Sequence, residues 1–362
     1  MKVCTVVGAR PQFIKAAVVS HELRKKHEEV LIHTGQHYDH NMSELFFEEL
    51  DIPKPDYNLG ISGGSHAEMT GRMMIELEKV LQKEKPDWLL VFGDTNSTLA
   101  AALAAAKIHI PICHVEAGVR THSRTNPEEI NRICTDHVSE LLLASTPDGY
   151  EGLCKEGLND RGIFVGDPMY EAFVQYSQKL SPAEIRLKTL EGEVIVLPKE
   201  YYYLTCHREE NTDEDNKIAE IFKAMERLEA ETIYPVHPRN IERALRVKRQ
   251  YGYKKIILTE PVGYLESTCM VRNAKKIVTD SGGLQREAFF AKKKCVTILD
   301  FVVCKETMVG QRNELSKPIA EQIILKLNNP QDIDDAYQPF GDGQSSKKIV
   351  ASMEDHLRRI KT

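Results

Sequence analysis

Short apolar runs bounded by glycine, proline and polar residues alternate along this chain with longer stretches whose apolar positions recur every three or four residues. Residues 3–7 form the first run and lead into a helical pattern starting near Pro11; residues 30–34 form the next run. An amphipathic stretch over 69–83 precedes a run at 88–92, a small-residue helix over 97–107 and a run at 112–116. Runs at 140–145 and 162–165 complete this series. Runs of this length read as buried strands and the 3.6-residue period as helices, so the alternation predicts a parallel sheet covered on both faces. Between residues 170 and 199 the chain becomes polar and irregular, with Pro182 and Pro198, and the domain boundary is placed there. A second series follows: strand 201–205, helix 216–230, strand 232–236, helix 240–251, strands 255–258 and 277–279, helix 283–291 and strand 295–298. A last helix over 345–360 has no strand after it. The expectation is an α/β chain with doubly wound domains at 1–170 and 171–344, and a helix over 345–362 packing back on the first. Two such domains facing a cleft bind their ligand at the carboxyl ends of the strands.

Composition narrows the classes. A chain of 362 residues suits two domains, and 41% hydrophobic with 28% charged residues excludes a disordered or membrane-spanning protein. The apolar run at 99–106 is far too short to cross a bilayer, and residues 1–7 read straight into a strand with no signal peptide. A cytoplasmic protein is expected. Net charge is −6 from 48 basic and 54 acidic residues, and no basic block stands out, which excludes nucleic acid as a partner. An anionic ligand therefore needs local neutralisation. The eight cysteines are scattered singly, with no C-x-x-C and no H-E-x-x-H, so free, mostly buried thiols and no metal are expected.

Chemically expensive residues fall just after the predicted strands. In residues 8–15 (GARPQFIK) glycine turns the chain and Pro11 opens a helix, with Arg10 and Lys15 near its start. A cation there opposes the macrodipole, so Arg10 is either a surface ion pair or half of an anion site. The G-x-G-x-x-G fingerprint is absent, and no bound dinucleotide is indicated. Residues 279–287 (TDSGGLQRE) pass through Ser281, Gly282 and Gly283 into a helix whose free N–H groups suit a phosphate, unless the glycines serve only the turn. Glu287, one turn on, is placed to accept from ribose hydroxyls. Asp94, in GDTNS, is open to two readings: a helix-capping acid or a catalytic carboxylate. Glu116 ends the apolar strand of HVEAGVR, where a carboxylate is costly unless paired or functional. Asn126 and Pro127 open a helix on which Glu128 and Arg132 share a face at i, i+4, a spacing that also suits a plain ion pair. His207 and His237 end successive strands of the second domain.

The segments GARPQFIK, TGQH (34–37), GDTNSTLAAALAA, HVEAG, NPEEINR, HREEN, PVHP and TDSGG-x-Q-x-EA stand in the order found in the non-hydrolysing UDP-N-acetylglucosamine 2-epimerase family, which this chain resembles from residue 1 to about 297 and again at 341–344. The resemblance implies two Rossmann-like domains in a GT-B-like arrangement, a homodimer, a UDP-sugar in the cleft and no cofactor. It implies loss of the C2 proton as UDP leaves C1 by anti elimination, then return of UDP to the bound 2-acetamidoglucal with protonation from the other face. Asp94, Glu116 and Glu128 match the family's carboxylates. Arg10, His207 and the Ser281–Gly283 turn fall to the diphosphate, Lys15 and Arg132 to organising the carboxylates, and Glu287 to the ribose. Gln36, His37, Asn96 and His237 lie in the same motifs as candidate substrate contacts. GARPQFIK and TGQHYDHNMSELFFEEL are more similar to the branch acting on UDP-2,3-diacetamido-glucuronic acid. One departure follows residue 297: Leu299, Val302 and Val303 stand where the family has arginine, threonine and glutamate. Rival readings are a hydrolysing epimerase, a GT-B glycosyltransferase and a non-catalytic UDP-sugar binder.

Overall fold

The structure is a computed structural model that describes residues 1–36, 47–123, 125–334 and 336–361. Its first unit comprises residues 1–172 and 338–362, its second residues 173–337. The units thus change over at 172/173 and 337/338, where the sequence reading set 170/171 and 344/345.

The first unit runs β1 (Lys2–Val7), α1 (Arg10–Leu23), β2 (Glu28–His33), β3 (Tyr57–Asn58), α2 (His66–Glu84), β4 (Trp88–Phe92), α3 (Asn96–Lys107) and β5 (Ile112–Val115). It continues through α4 (Pro127–Val138), β6 (Leu141–Ala144), α5 (Pro147–Lys155) and β7 (Gly162–Phe164) to α6 (Pro168–Tyr176), whose last four residues fall in the second unit. Its seven strands pair in parallel in the order β3-β2-β1-β4-β5-β6-β7. β1 bonds both β2 and β4, so the order reverses there, and a doubly wound sheet opens its crevice at such a switch point. All five residues of β4 are buried, as a strand covered on both faces requires.

The second unit adds β8 (Arg186–Lys188), β9 (Val194–Val196), β10 (Tyr201–Thr205), α7 (Glu209–Thr212), α8 (Asp215–Glu226), β11 (Glu231–Pro235), α9 (Ile241–Tyr251) and β12 (Ile256–Thr259). Then come α10 (Tyr264–Asn273), β13 (Ile277–Thr279), α11 (Gly282–Phe290), β14 (Cys295–Thr297), β15 (Asn313–Leu315) and α12 (Ala320–Asn328). Its parallel sheet has the order β12-β11-β10-β13-β14-β15, again reversing beside the first strand, and β8 and β9 form a separate antiparallel ribbon. That ribbon occupies the stretch that reads as irregular, because its two strands have three residues each. Helices α5, α6, α7, α10 and α12 and strands β3 and β15 were not expected. Three-residue strands and a helix such as YLESTCMVRN, with its serine, threonine and cysteine, carry weak periodicity.

The last helix, α13 (Ser345–Lys361), lies against α1 in the first unit. Ile349, Val350 and Met353 are buried. Glu354 meets His27 at 2.6 Å, and the His356 ring meets Trp88 edge-on at 5.3 Å. The start of α13 is fixed by Glu171 of α6, which accepts from Ser345 Oγ and Ser346 N, both at 2.7 Å. All eight cysteines are free; five are buried, Cys134 and Cys304 are partly covered, and Cys154, on α5, is exposed. No helix among the described residues is long and apolar enough to cross a membrane.

Candidate active-site residues

In the first unit the loops leaving β1, β4 and β5 at the switch point carry the candidate chemistry. Gln12, buried on α1, ties two of these loops together. Its Oε1 accepts from Gly8 N (2.8 Å) and Ala9 N (3.1 Å), and its Nε2 donates to the Phe92 carbonyl (2.8 Å) and to Thr98 Oγ1 (2.9 Å). Lys15, one turn along α1, forms an ion pair with Glu116, and their side chains are only 5% and 14% exposed. Glu116 is the residue after β5 and has φ +72°, a left-handed conformation rare for a non-glycine residue. Strain of this kind persists where surrounding structure enforces it, and it clusters at functional sites.

Asp94 does not cap α3. Thr95 holds that position and accepts from Thr98 N at 3.3 Å, leaving the Asp94 carboxylate to pair with Arg132 of α4. Arg132 also meets Glu129 at 3.0 Å. The i, i+4 pair of Glu128 with Arg132 is not formed: Glu128 is exposed, and among the described residues its carboxylate has no ion-pair partner. Asn126 does cap α4, accepting from Glu128 N at 3.0 Å. Burial pushes the Glu129 carboxyl up, but hydrogen bonds from Thr121 and His122, with Arg132, outweigh it and hold the group below the usual range. Asn96 is buried and accepts from Asn131 at 3.3 Å, while Asn131 also donates to the Asp94 carbonyl at 2.8 Å. Gln36 accepts from Ser97 N (3.1 Å) and Ser97 Oγ (2.7 Å), which satisfies a first-turn N–H of α3 beside the Thr95 cap. Arg10, the first residue of α1, is exposed. His37 lies outside the described residues.

Beneath these loops lies a buried charged cluster that the sequence reading did not single out. His114 of β5 faces Asp136 of α4 through Nδ1 (2.6 Å) and the Gly93 carbonyl through Nε2 (2.7 Å). Asp136 also accepts from Gly118 N (3.0 Å) and Arg120 (2.7 Å). Burial would raise the Asp136 carboxyl, yet the His114 ring and the Arg120 guanidinium hold it lowered.

In the second unit the organising residue is Asp280, likewise missed. Its carboxylate is fully buried and accepts from His207 N (2.9 Å), Arg208 N (2.8 Å) and Cys206 Sγ (3.2 Å), with His207 Nδ1 at 3.1 Å. Burial pushes this carboxyl up, but these donors prevail and keep it lowered. The loop after β10 is thereby pinned to the end of β13, and His207 stays 44% exposed at its tip. The His237 ring stacks on His207 at 6.2 Å and is exposed. Ser281 caps α11, accepting from Leu284 N at 3.3 Å; Gly282 and Gly283 form its first turn and Glu287 is buried one turn on. Val303 packs against that first turn: a β-carbon on Gly282 would lie 3.1 Å from Val303 Cγ1. Phe301 and Val302 are exposed, and the Arg208 guanidinium sits over the Phe301 ring at 5.5 Å. A signal for Asp280 did exist, a carboxylate directly after an apolar strand, but it was absorbed into the SGG turn.

Residues 21–354 match the family described as UDP-N-acetylglucosamine 2-epimerase. A Methanococcus maripaludis protein described as a UDP-N-acetylglucosamine 2-epimerase homolog is 44% identical over 355 residues, covering 97% of this chain and 98% of its own. The UDP-2,3-diacetamido-2,3-dideoxy-D-glucuronate 2-epimerase of Pseudomonas aeruginosa is 42% identical over 361 residues, covering 97% and 98%. The crystal structure of Methanocaldococcus jannaschii UDP-GlcNAc 2-epimerase in complex with UDP-GlcNAc and UDP aligns with a TM-score of 0.83 at 37% identity, over 98% of this chain and 100% of that one. Matched nearly end to end in both sequence and fold, this chain belongs to the UDP-N-acetylglucosamine 2-epimerase family.

Proposed function

We propose that the protein inverts C2 of a UDP-linked 2-acetamido sugar, UDP-GlcNAc to UDP-ManNAc, without hydrolysis and without a redox cofactor. The observation that carries this reading is Glu116, strained at φ +72° with its carboxylate paired to buried Lys15 at the switch point of the first sheet. A base removes the C2 proton while the C1–O bond breaks towards UDP, leaving a 2-acetamidoglucal. UDP oxygen then re-forms the bond to C1 as an acid returns a proton to the other face of C2. Groups on both faces are needed, and Glu116, Asp94 and Glu128 are the carboxylates assigned to them. Lys15 and Arg132 pair with Glu116 and Asp94 and orient them. In the second unit the capped start of α11 and the half-buried His207 supply donors to the diphosphate as its charge develops.

Proton NMR of the protein with UDP-GlcNAc in deuterated water tests this. Deuterium at C2 together with UDP-ManNAc is the expected outcome; free ManNAc with UDP would establish hydrolysis instead. A second reading, with UDP-2,3-diacetamido-glucuronic acid as substrate, draws on the 42% identity to the Pseudomonas aeruginosa enzyme and on aliphatic Val303 against Gly282. Exchange confined to that sugar would select it, and binding of both without exchange would leave a UDP-sugar binder.

A further inference from the structure

His114 sits below the site and touches no group assigned to the substrate, yet it holds the turn on which two candidate catalytic carboxylates depend. It is fully buried in β5. One ring nitrogen faces the Asp136 carboxylate at 2.6 Å and the other faces the Gly93 carbonyl oxygen at 2.7 Å. A carbonyl oxygen only accepts, so Nε2 must carry a hydrogen. Asp136 is already an acceptor, taking Gly118 N at 3.0 Å and Arg120 at 2.7 Å, and Glu156, the residue after α5, takes the other side of Arg120 at 2.7 Å. With acceptors at both nitrogens, the ring completes both bonds only with a hydrogen on each.

Gly93 is thus held on both sides, its N–H donating to the Val115 carbonyl at 2.9 Å and its carbonyl, in the peptide to Asp94, accepting from His114. Gly93 has φ +64°, and a β-carbon there would lie 3.3 Å from Glu116 Oε2 and 3.6 Å from Lys15 Nζ. The Glu116–Lys15 pair therefore lies directly against this turn, and Asp94 is the next residue along it. A shift of the Gly93 peptide moves both carboxylates at once.

We propose that His114, protonated on both nitrogens, is a positioning residue whose Nε2 hydrogen holds the Gly93–Asp94 turn and so sets the spacing of Asp94 and Glu116, Asp136 serving to orient the ring. This rests on the reading that those carboxylates carry the epimerisation. The bond to Gly93 and the bond to Asp136 are separable by substitution. The amide nitrogen of His114→Gln falls near Nε2 and keeps the donor to Gly93, whereas that of His114→Asn falls near Nδ1 and keeps only the donor to Asp136. His114→Gln should retain kcat within about threefold, while His114→Asn should lower it by about tenfold or more, with KM and UDP affinity unchanged in both. Equal losses in the two variants, or a wild-type rate in His114→Asn, would overturn the assignment.

Nitrogen-15 NMR of the wild-type ring supplies a check that needs neither variant to fold: two protonated nitrogens are expected, and a singly protonated ring refutes the proposal. Should the wild type exchange neither sugar, the epimerase reading fails alone. The amide resonances of Gly93 and Asp94, displaced in His114→Asn and restored in His114→Gln, then still decide the role of His114.

Discussion

Two carboxylates show how differently one side-chain type is used. Glu116 is partly reachable and paired with buried Lys15, which leaves its carboxylate placed for chemistry. Glu116→Gln should abolish C2 exchange while UDP affinity, measured by calorimetry, stays within about threefold, since the diphosphate groups are untouched. Asp280 is fully buried and saturated by backbone and side-chain donors, so it works as a fastener. Asp280→Ala leaves those donors without an acceptor, and a loss of roughly 2–4 kcal/mol in urea unfolding is expected, with weaker UDP binding as the His207 loop loosens. Asp136 and Asp280 both titrate below the ordinary aspartate value in the folded state. Their contribution to stability is therefore complete above the unfolded-state value near 3.8 and disappears as pH falls through the lower folded values. Unfolding followed from pH 6 to pH 2 should steepen below about pH 4 and be blunted in Asp280→Ala. At this scale the sequence made expensive residues visible but not their partners. Lys15 and Glu116 are 101 residues apart, and Arg132 and Asp94 are 38 apart, so only the topology brings them together. The local i, i+4 rule even pointed Arg132 to the wrong glutamate.

Among the elements, α5 presses on the loop that carries Glu116. A β-carbon on Gly152 would come within 2.2 Å of the Gly118 carbonyl oxygen, and one on Gly118 within 2.0 Å of the Gly149 carbonyl oxygen. Backbone lies against backbone there, and nothing flexible can yield. Gly152→Ala should cost about 1–3 kcal/mol and lower turnover, because α5 must move off residues 116–118. Gly71, on α2, has nothing within 4 Å of the same hypothetical atom, and Gly71→Ala should be neutral or stabilise by up to about 1 kcal/mol. Thermal unfolding of the pair separates close packing from helix propensity. The longer elements, such as α1 and β4, and the Asn126–Pro127 helix start were legible because periodicity and caps are local signals. The three-residue strands β8, β9 and β15 were not, since pairing with neighbours rather than their own sequence makes them strands.

In the whole molecule the first unit is discontinuous: residues 338–362 return to it after the second unit is complete. Helix α13 packs on α1 with Ile349, Val350 and Met353 buried, its His356 ring meets Trp88, and Glu354 closes on His27 at 2.6 Å. Deleting residues 338–362 should destabilise the first unit selectively, which hydrogen exchange would register in α1 and β1 before β10 and β11. The same arrangement bears on synthesis. A ribosome delivers β1 to β7 early, then spends on the order of ten seconds or more on residues 173–337 before α13 emerges. Throughout that interval the nascent first domain lacks the helix that packs on α1, and the surface it will cover is one for chaperones to guard. The domain that begins folding first is the last to finish.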